Sequence, residues 1–383
     1  MRGAAKELDV KSANRIKVMK YIVDHEAASR QELAQELGFS MPTIFKIVND
    51  LMEQGMICED GEYCSTGGRR AKILKVCPGA FCTAGAAISK NHLRMVLMDA
   101  AQKIIDSSCL RLTYEDTLSY YTKFGELVRD FLDKDRGGQT GPILGVGVSM
   151  PGIMDIDRGM IHRSLILDMT ELSLEKFAQN INHPVYFFSN KNTVLAEVEN
   201  KHQNVVYLTL GDTVGGGAYL DGEVYKGDML KSMLFGHITI VPGGRQCYCG
   251  KQGCLDAYCS ATALREESGK SLEEFFAALE EKDSRCEEIF DSYLEHLAIA
   301  VANLRMIFDC RLIIGGQLRP WLGKYLPQLE EKVLKYVLFD KDMSFVSLGK
   351  YGQEIVAVSA ALMTLEKCVE EGSFLIGFNF AEQ

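Results

Sequence analysis

Four metal-binding side chains near the middle of the chain constrain its fold more than any other feature. They follow a His-x9-Cys-x-Cys-x4-Cys pattern and are His237, Cys247, Cys249 and Cys254. Three thiolates and one imidazole are the usual ligands of a closed, four-coordinate structural zinc site. Two glycines between the thiols, Gly250 and Gly253, let the short loop turn tightly enough for the sulfurs to converge. The pattern therefore predicts a structural Zn²⁺ site that fixes this loop and has no open coordination position.

The N-terminal part of the chain carries the signals of three short helices between residues 14 and 57. Ser29 and Glu32 form a capping-box sequence that opens the second helix, and Gly38 ends it. Ser40 then caps a third helix, in which Pro42 is tolerated in the first turn. Two helices joined by a short glycine-containing turn are typical of a helix-turn-helix.

A hairpin signal follows the third helix. Residues 56–64 are interpreted as two short strands around Asp60-Gly61, and residues 65–70 as a glycine-rich basic turn. This order predicts a winged helix that binds double-stranded DNA; the alternative is a three-helix bundle with an attached hairpin. The charge distribution permits DNA contact, because the whole chain has a net charge of −10 but residues 1–76 hold 12 Lys/Arg against 11 Asp/Glu.

The side chains predicted to contact DNA lie on the third helix and on the basic turn. They are Ser40, Met41, Thr43, Lys46, Asn49, Arg69 and Arg70. For Arg69 and Arg70 the alternative is a solvated turn without DNA contact. Phe45, on the same helix, is expected in the core, with apolar contact to thymine methyl groups as the alternative.

After about residue 80, apolar strands alternate with helical patterns. The alternation predicts an α/β architecture, and the strand candidates are residues 84–89, 93–99, 143–150, 185–189, 205–210, 217–221, 223–227 and 311–316. The chain has 383 residues, enough for several domains with sizeable cores. It has no apolar run of about 18 residues and no signal-peptide core, so neither a membrane span nor secretion is expected. The 12 cysteines then favour a reducing cytoplasm.

Several short motifs in this part of the chain are similar to those of one protein family. They are Pro151-Gly152, Gly236-His237, the segment from Cys247 to Leu255, and Gly315-Gly316. They resemble motifs of the ROK family of sugar kinases and sugar-responsive repressors. The resemblance implies an α/β, two-lobed actin-like, ribonuclease H-like body that follows an N-terminal all-α winged helix-turn-helix domain. The implied domains are a DNA-binding head (1–78), a first lobe (79–195) and a second lobe with the zinc loop (196–383).

Three positions depart from what the resemblance implies for a sugar kinase. Ala87 stands where the kinases have the Asp of an Asp-x-Gly-Gly-Thr loop, and Asp212 would put a carboxylate beside the phosphates. Asn190 stands at the catalytic Asp, and an amide cannot take a proton from a sugar hydroxyl near neutral pH. We therefore expect no kinase activity, and we interpret residues 211–217 as a turn between strands.

The sugar pocket implied by the resemblance is altered as well. Its counterparts here are Ser189, Asn190, His237 and Asp256, and Leu234 replaces a glutamate. A leucine removes an acceptor for a sugar hydroxyl. These residues either bind a small-molecule effector, such as a sugar or sugar phosphate, or serve only as scaffold.

The resemblance thus implies a non-enzymatic transcriptional regulator of carbohydrate metabolism, most simply a repressor. It would bind a DNA operator as a homodimer or homotetramer, and an effector would act through different affinities for two conformations of the body. One alternative is a sugar kinase with an appended regulatory head. The other is a constitutive DNA-binding protein whose body serves only for oligomerisation.

Overall fold

The computed structural model describes residues 10–62, 72–138, 140–199 and 203–375. The chain forms two compact units, each built from separated segments. The first unit consists of Met1–Ser149, Glu175–Phe187 and Ala360–Gln383, and the second of Met150–Leu174 and Phe188–Ser359. The domains predicted from the sequence are instead three consecutive segments with boundaries at residues 78 and 195. These boundaries stay a prediction.

The N-terminal head contains three helices and a two-stranded sheet. Its elements are α1 (Val10–His25), α2 (Arg30–Leu37), α3 (Met41–Glu53), β1 (Ile57–Glu62) and β2 (Lys72–Val76). The predicted caps are confirmed: Ser29 and Glu32 form a capping box at α2, and Ser40 caps α3 through the amide of Thr43. Gly38 ends α2 with a positive φ of 66°, which glycine adopts without strain.

The predicted hairpin turn at Asp60-Gly61 is wrong. Both residues lie inside β1, where Glu59 faces Leu74 and Glu62 faces Lys72, so β1 holds one extra residue. Gly61 has a φ of +83°, which is typical of a glycine in a β-bulge. The Asp-Gly signal therefore marks a bulge, and the loop between β1 and β2 lies outside the described residues.

The head shares its hydrophobic core with other parts of the first unit. Buried residues of α1 and α3, such as Met19 and Leu51, belong to one cluster with Leu365, Val369 and Phe374 near the C-terminus. Lys20 of α1 also forms an ion pair with Glu370. The head is therefore packed against the C-terminal segment of the same unit.

The first unit is completed by a five-stranded sheet. Between residues 82 and 189 the chain forms β3 (Cys82–Ile88), β4 (His92–Asp99), β5 (Ile104–Arg111), α4 (Leu118–Leu132), β6 (Ile143–Met150), β7 (Ile153–Asp155), β8 (Met160–Ser164), β9 (Met169–Ser173), α5 (Glu175–Ala178) and β10 (Val185–Ser189). The strand order in this sheet is β10-β6-β3-β4-β5, and β7, β8 and β9 form a separate three-stranded sheet that belongs to the second unit.

The second unit contains another five-stranded sheet and the helices α6 to α11. Its further elements are β11 (Val205–Leu210), β12 (Val214–Leu220), β13 (Glu223–Val224), α6 (Asp256–Cys259), α7 (Ala261–Ser268), α8 (Leu272–Glu280), α9 (Ser284–Phe308), β14 (Arg311–Gly315), α10 (Arg319–Leu322), α11 (Leu326–Val333) and β15 (Val346–Leu348). The strand order is β13-β12-β11-β14-β15. A last helix, α12 (Ile355–Glu370), begins in this unit and continues into the first.

The two large sheets have the same pattern of strand directions around their third strand. In the first, β3 pairs antiparallel with β4 and parallel with β6. In the second, β11 pairs antiparallel with β12 and parallel with β14. The body is thus an α/β structure with two sheets of similar topology. Among the described residues, no helix has both the length and the apolar character needed to cross a bilayer.

Candidate functional site

The four predicted metal ligands come together in the second unit. His237 ends a short 3-10 helix, Phe235–His237, and the three cysteines lie on the loop that leads into α6. One ligand atom from each of His237, Cys247, Cys249 and Cys254 lies within 4.8 Å of all the others. Nδ1 of His237 is 3.7 Å from Sγ of Cys247, and Nε2 is 3.3 Å from the hydroxyl of Tyr248. Nδ1 therefore faces the thiols while the second nitrogen has its own partner, as is usual for a ligating histidine.

The loop that carries the cysteines is held by local contacts. Gly250 and Gly253 have φ values of +89° and +79°, and a Cβ on Gly253 would overlap the carbonyl oxygen of Val241. The guanidinium of Arg245 donates to both carboxylate oxygens of Glu267 on α7, at 2.7 and 2.8 Å. These contacts hold the loop in its conformation.

The protonation state of the thiols depends on whether a cation is bound. Burial raises the pKa of Cys247 to about 12 and also raises the pKa of Cys254. A thiol that coordinates a divalent cation is deprotonated by it, so metal binding here would release protons. Three sulfurs and one imidazole, buried or half-buried, fit a single soft divalent cation.

A cavity of about 460 Å³ lies in the second unit, and its size is typical of small-molecule sites. Three of the predicted effector residues, Ser189, Asn190 and His237, line it, and so does Leu234. His237 therefore borders both the cavity and the metal cluster.

Asp256, the fourth predicted effector residue, has a different environment. It does not line the cavity; its side chain is buried and accepts a hydrogen bond of 2.6 Å from the amide of Val214. Burial raises the pKa of this carboxyl group to about 7. Asp256 thus joins the start of α6 to the start of β12, a strand that contributes to the cavity wall.

The sequence analysis missed Lys191, a cation that also lines the cavity. It follows the end of β10 in the 3-10 helix Asn190–Glu197, and its Nζ donates to the carbonyl oxygen of Leu230 at 2.6 Å. Burial lowers the pKa of Lys191 to about 8. One sequence signal could have identified Lys191: it directly follows Asn190, the position where the resemblance implies a carboxylate.

The residues predicted to contact DNA from α3 lie on its solvent side. Met41, Lys46 and Asn49 are exposed, Ser40 is exposed at the N-terminus, and Thr43 is half-buried. Phe45 is also exposed (47%) rather than packed in the core, with the guanidinium of Arg30 5.2 Å from its ring centre. Arg69 and Arg70 lie outside the described residues.

Residues 83–367 match the sequence pattern of the ROK family, which is more than half of the chain. The chain belongs to the ROK family. The ROK match begins within β3, so the head precedes the part of the chain that the family shares.

Relatives of this ROK protein include repressors and kinases. The xylose repressor of Caldicellulosiruptor bescii is 25% identical over 353 residues, covering 85% of this chain and 88% of the repressor. The glucokinase of Halalkalibacterium halodurans is 26% identical over 263 residues, covering 61% of this chain and 79% of the kinase. The crystal structure of a ROK family transcriptional regulator homologous to the Escherichia coli MLC protein matches with a TM-score of 0.72 at 20% identity. It covers 96% of this chain and 98% of that one, and it confirms the predicted fold class.

The positions that correspond to ROK kinase motifs are occupied by groups with other contacts. Ala87 is buried in β3. Asp212 lies in the turn between β11 and β12, and its carboxylate accepts a 2.6 Å hydrogen bond from Arg265. The turn between the strands therefore covers only residues 211–213, whereas Gly215, Gly216 and Gly217, which were predicted to belong to it, lie in β12. The carboxylate of Asp212 is already paired.

Proposed function

We propose that this chain is a transcriptional repressor of carbohydrate metabolism whose ROK body senses an effector and does not transfer phosphate. One observation carries the proposal: the xylose repressor of C. bescii matches 85% of the chain, whereas the glucokinase of H. halodurans matches 61%. The part of the chain that precedes the ROK match is a helix-turn-helix with a strand pair, and the outer face of its α3 carries Lys46 and Asn49.

DNA binding can be tested on operator sequences that the full-length protein selects from a random DNA pool. Lys46→Ala is expected to weaken binding and to lower the dependence of affinity on salt by about one charge, because a phosphate contact is lost. Lys341→Ala, at an exposed lysine of the second unit, is the matched control. Equal affinity and salt dependence for both variants and the wild type would count against α3 as the contacting helix.

The absence of kinase activity is a second part of the proposal. Transfer of a phosphoryl group to a sugar needs a base near the attacking hydroxyl, and no Asp or Glu is found among the described residues that line the cavity. Incubation with ATP, Mg²⁺ and a panel of pentoses and hexoses should give no sugar-dependent ADP. Sugar-dependent ADP formation that survives further purification would establish the kinase alternative.

We also propose that the cluster of His237, Cys247, Cys249 and Cys254 holds a structural Zn²⁺. Cys249→Ser should lose the bound zinc and lower the melting temperature, because one of four ligands is removed. Cys109→Ser changes an exposed cysteine of the first unit and should leave both quantities unchanged. Full zinc content in Cys249→Ser would contradict this assignment.

A homodimer or homotetramer is proposed because two half-sites require at least two heads. Four exposed apolar side chains on two segments of the second unit support self-association, and we propose that they form one patch: Met306, Ile307, Leu338 and Phe339. Arg305 and Asp340 form an ion pair of 3.0 Å that holds the two segments of this patch together. Phe339→Lys should reduce the mass seen by sedimentation velocity, whereas Leu118→Lys, at an isolated exposed leucine, should not. An unchanged mass in Phe339→Lys would exclude the patch as the interface.

A further inference from the structure

Apart from the candidate metal ligands His237 and Cys249, the charged side chains that line the cavity are of one sign. Arg163 and Lys191 are its cations, and the described residues that line it include no Asp or Glu. A pocket that recognises a neutral sugar commonly supplies acceptors for its hydroxyl hydrogens, and a carboxylate is the strongest of these. This cavity instead offers cationic donors.

Lys191 has an incomplete set of partners. Its ammonium group has three N–H donors, and the only bond seen among the described residues is the one to the carbonyl of Leu230. None of the described carboxylates forms an ion pair with it. A half-buried ammonium without a counter-charge is unfavourable, and burial accordingly lowers its pKa to about 8. An anion in the cavity would supply the missing charge and accept the remaining donors.

Arg163 adds a second cation with a suitable shape. It lies near the end of β8 opposite Thr170 of β9, and its side chain is exposed. A guanidinium presents a planar pair of donors that matches a carboxylate or a phosphate. An exposed arginine and a half-buried lysine on the same cavity can therefore hold one anionic group.

The rest of the wall fits a small hydroxylated molecule. Ser189, Thr193, Thr209 and Thr213 supply hydroxyl groups, while Ile166, Met233, Leu234 and Val356 supply apolar surface. Hydroxyls can both donate to and accept from sugar hydroxyls, and the apolar side chains can cover the C–H face of a ring.

We propose that the effector is anionic: a hydroxylated small molecule whose carboxylate or phosphate group binds between Lys191 and Arg163. This proposal rests on the effector-sensing role given above and names the chemical class of the effector. The same pair of cations can bind either a carboxylate or a phosphate, so experiment decides which of the two groups the effector carries.

The test is isothermal titration of the full-length, zinc-loaded protein with matched ligands. Glucose and xylose are the neutral members, glucuronate and gluconate carry a carboxylate, and glucose 6-phosphate and xylose 5-phosphate carry a phosphate. At least one anionic member should bind more tightly than its neutral parent. Tighter binding of the carboxylates or of the phosphates identifies the source of the charge. Neutral members that bind as tightly as every anionic one, or a panel that does not bind at millimolar concentration, would overturn the proposal.

Substitution of Lys191 distinguishes a specific loss of anion binding from a general loss of folded protein. Lys191→Met should weaken the anionic ligand by about tenfold or more, since a charge-assisted hydrogen bond is lost, and should leave neutral ligands nearly unchanged. Lys191→Arg should retain part of the preference, and Lys335→Met, at an exposed lysine of the second unit, should bind like the wild type. Equal affinity of Lys191→Met and the wild type for the anion would refute the role of Lys191.

DNA binding, measured separately on the selected operator, keeps this proposal distinct from the proposed function. If a neutral sugar releases the operator and anions do not, the repressor function stands and the anionic effector is refuted. If the protein binds anions but no DNA, the cavity assignment stands and the repressor function is refuted.

Discussion

The 3-10 helix Asn190–Glu197 carries a charged side chain near each end, Lys191 and Glu197. The protein supplies these two side chains with different numbers of hydrogen-bond partners. Glu197 is buried, but both of its oxygens accept the amide of Lys350 at 2.9 Å, and one also accepts the amide of Tyr351 at 3.4 Å. Lys191 has only one carbonyl partner among the described residues. The fold therefore satisfies the buried acid and leaves the cation with capacity for a ligand.

Removal of the Glu197 carboxylate should destabilise the second unit. Glu197→Ala leaves the amides of Lys350 and Tyr351 without an acceptor, and we expect a loss of about 2–3 kcal/mol in the free energy of unfolding. Glu197→Gln keeps one carbonyl acceptor and should lose less. Urea unfolding monitored by circular dichroism measures both, and an alanine variant as stable as the wild type would contradict the contribution of these bonds.

The ammonium of Lys191 should make stability depend on pH in a defined direction. Its pKa in the folded protein, about 8, lies below the ordinary value of 10.5, so between these values the unfolded chain binds more protons. The contribution of this group to the unfolding free energy therefore rises with pH from about 8 to 10.5. Lys191→Met, which lacks the charge, should be more stable than the wild type at pH 7 without ligand.

That gain should shrink as the pH approaches 10.5, where the wild-type lysine is neutral in the folded protein and half deprotonated in the unfolded chain. The other titratable or charged groups on the cavity wall are Arg163, His237, Tyr248 and Cys249, and they are the same in both proteins. Melting temperatures of the two proteins from pH 7 to 10.5 provide the measurement. A constant difference across this range would show that Lys191 does not titrate there.

At the scale of elements, the metal-binding loop depends on backbone conformation as much as on its ligands. Gly253→Ala adds a Cβ that overlaps the carbonyl oxygen of Val241, and it also forces a positive φ on alanine. Gly250→Ala forces the same kind of φ but meets no atom within 4 Å. We expect Gly253→Ala to lose bound zinc and Gly250→Ala to keep it with a modest loss of stability, about 1–2 kcal/mol. Atomic absorption measures the zinc content of both variants. Equal zinc contents would show that the loop accommodates the Cβ at position 253 without losing the metal.

Elements with strong local signals could be predicted from the sequence, and those set by distant contacts could not. Residues 143–150, 185–189 and 205–210 form β6, β10 and β11 with the predicted bounds, because short apolar runs with turn signals at their ends specify strands locally. Asp60-Gly61 has the composition of a hairpin turn, but its pairing with β2 makes it a bulge. Phe45 was expected in the core, yet its position on α3 turns it to solvent.

The residues of the candidate site also divide into those set by local sequence and those set by distant contacts. The convergence of His237 with the three cysteines could be predicted, because the spacing of the four residues is typical of a zinc site. That they bind a metal stays a prediction. The role of Lys191 could not be predicted, because it depends on two residues that are distant in the sequence. Leu230 accepts its hydrogen bond, and Arg163 lines the same cavity. Asp256 was assigned to the effector, but its carboxylate is occupied by the amide of Val214.

At the scale of the whole molecule, the order of the chain does not follow the order of its compact units. The C-terminal segment Ala360–Gln383 belongs to the first unit, together with the head. Buried side chains of this segment, among them Leu365, Val369 and Phe374, share one cluster with Met19 and other residues of the head. A DNA-binding domain with part of its core supplied by the far end of the chain is not an independent module. We therefore expect that a change in this segment reaches the head without altering any residue that contacts DNA.

Val369 provides the test, because its side chain is buried in the shared cluster. Val369→Asp places a carboxylate without a partner in an apolar core, and we expect a loss of about 3 kcal/mol or more in the unfolding free energy, together with weaker binding to the selected operator. Lys367→Asp introduces the same group at an exposed position on the same helix. It also removes a surface ion pair with Glu370, so it should cost about 1 kcal/mol, with little effect on DNA binding. Urea unfolding and fluorescence anisotropy measure the two quantities. A Val369→Asp variant that is destabilised but binds the operator like the wild type would show that the head keeps its structure without the C-terminal segment.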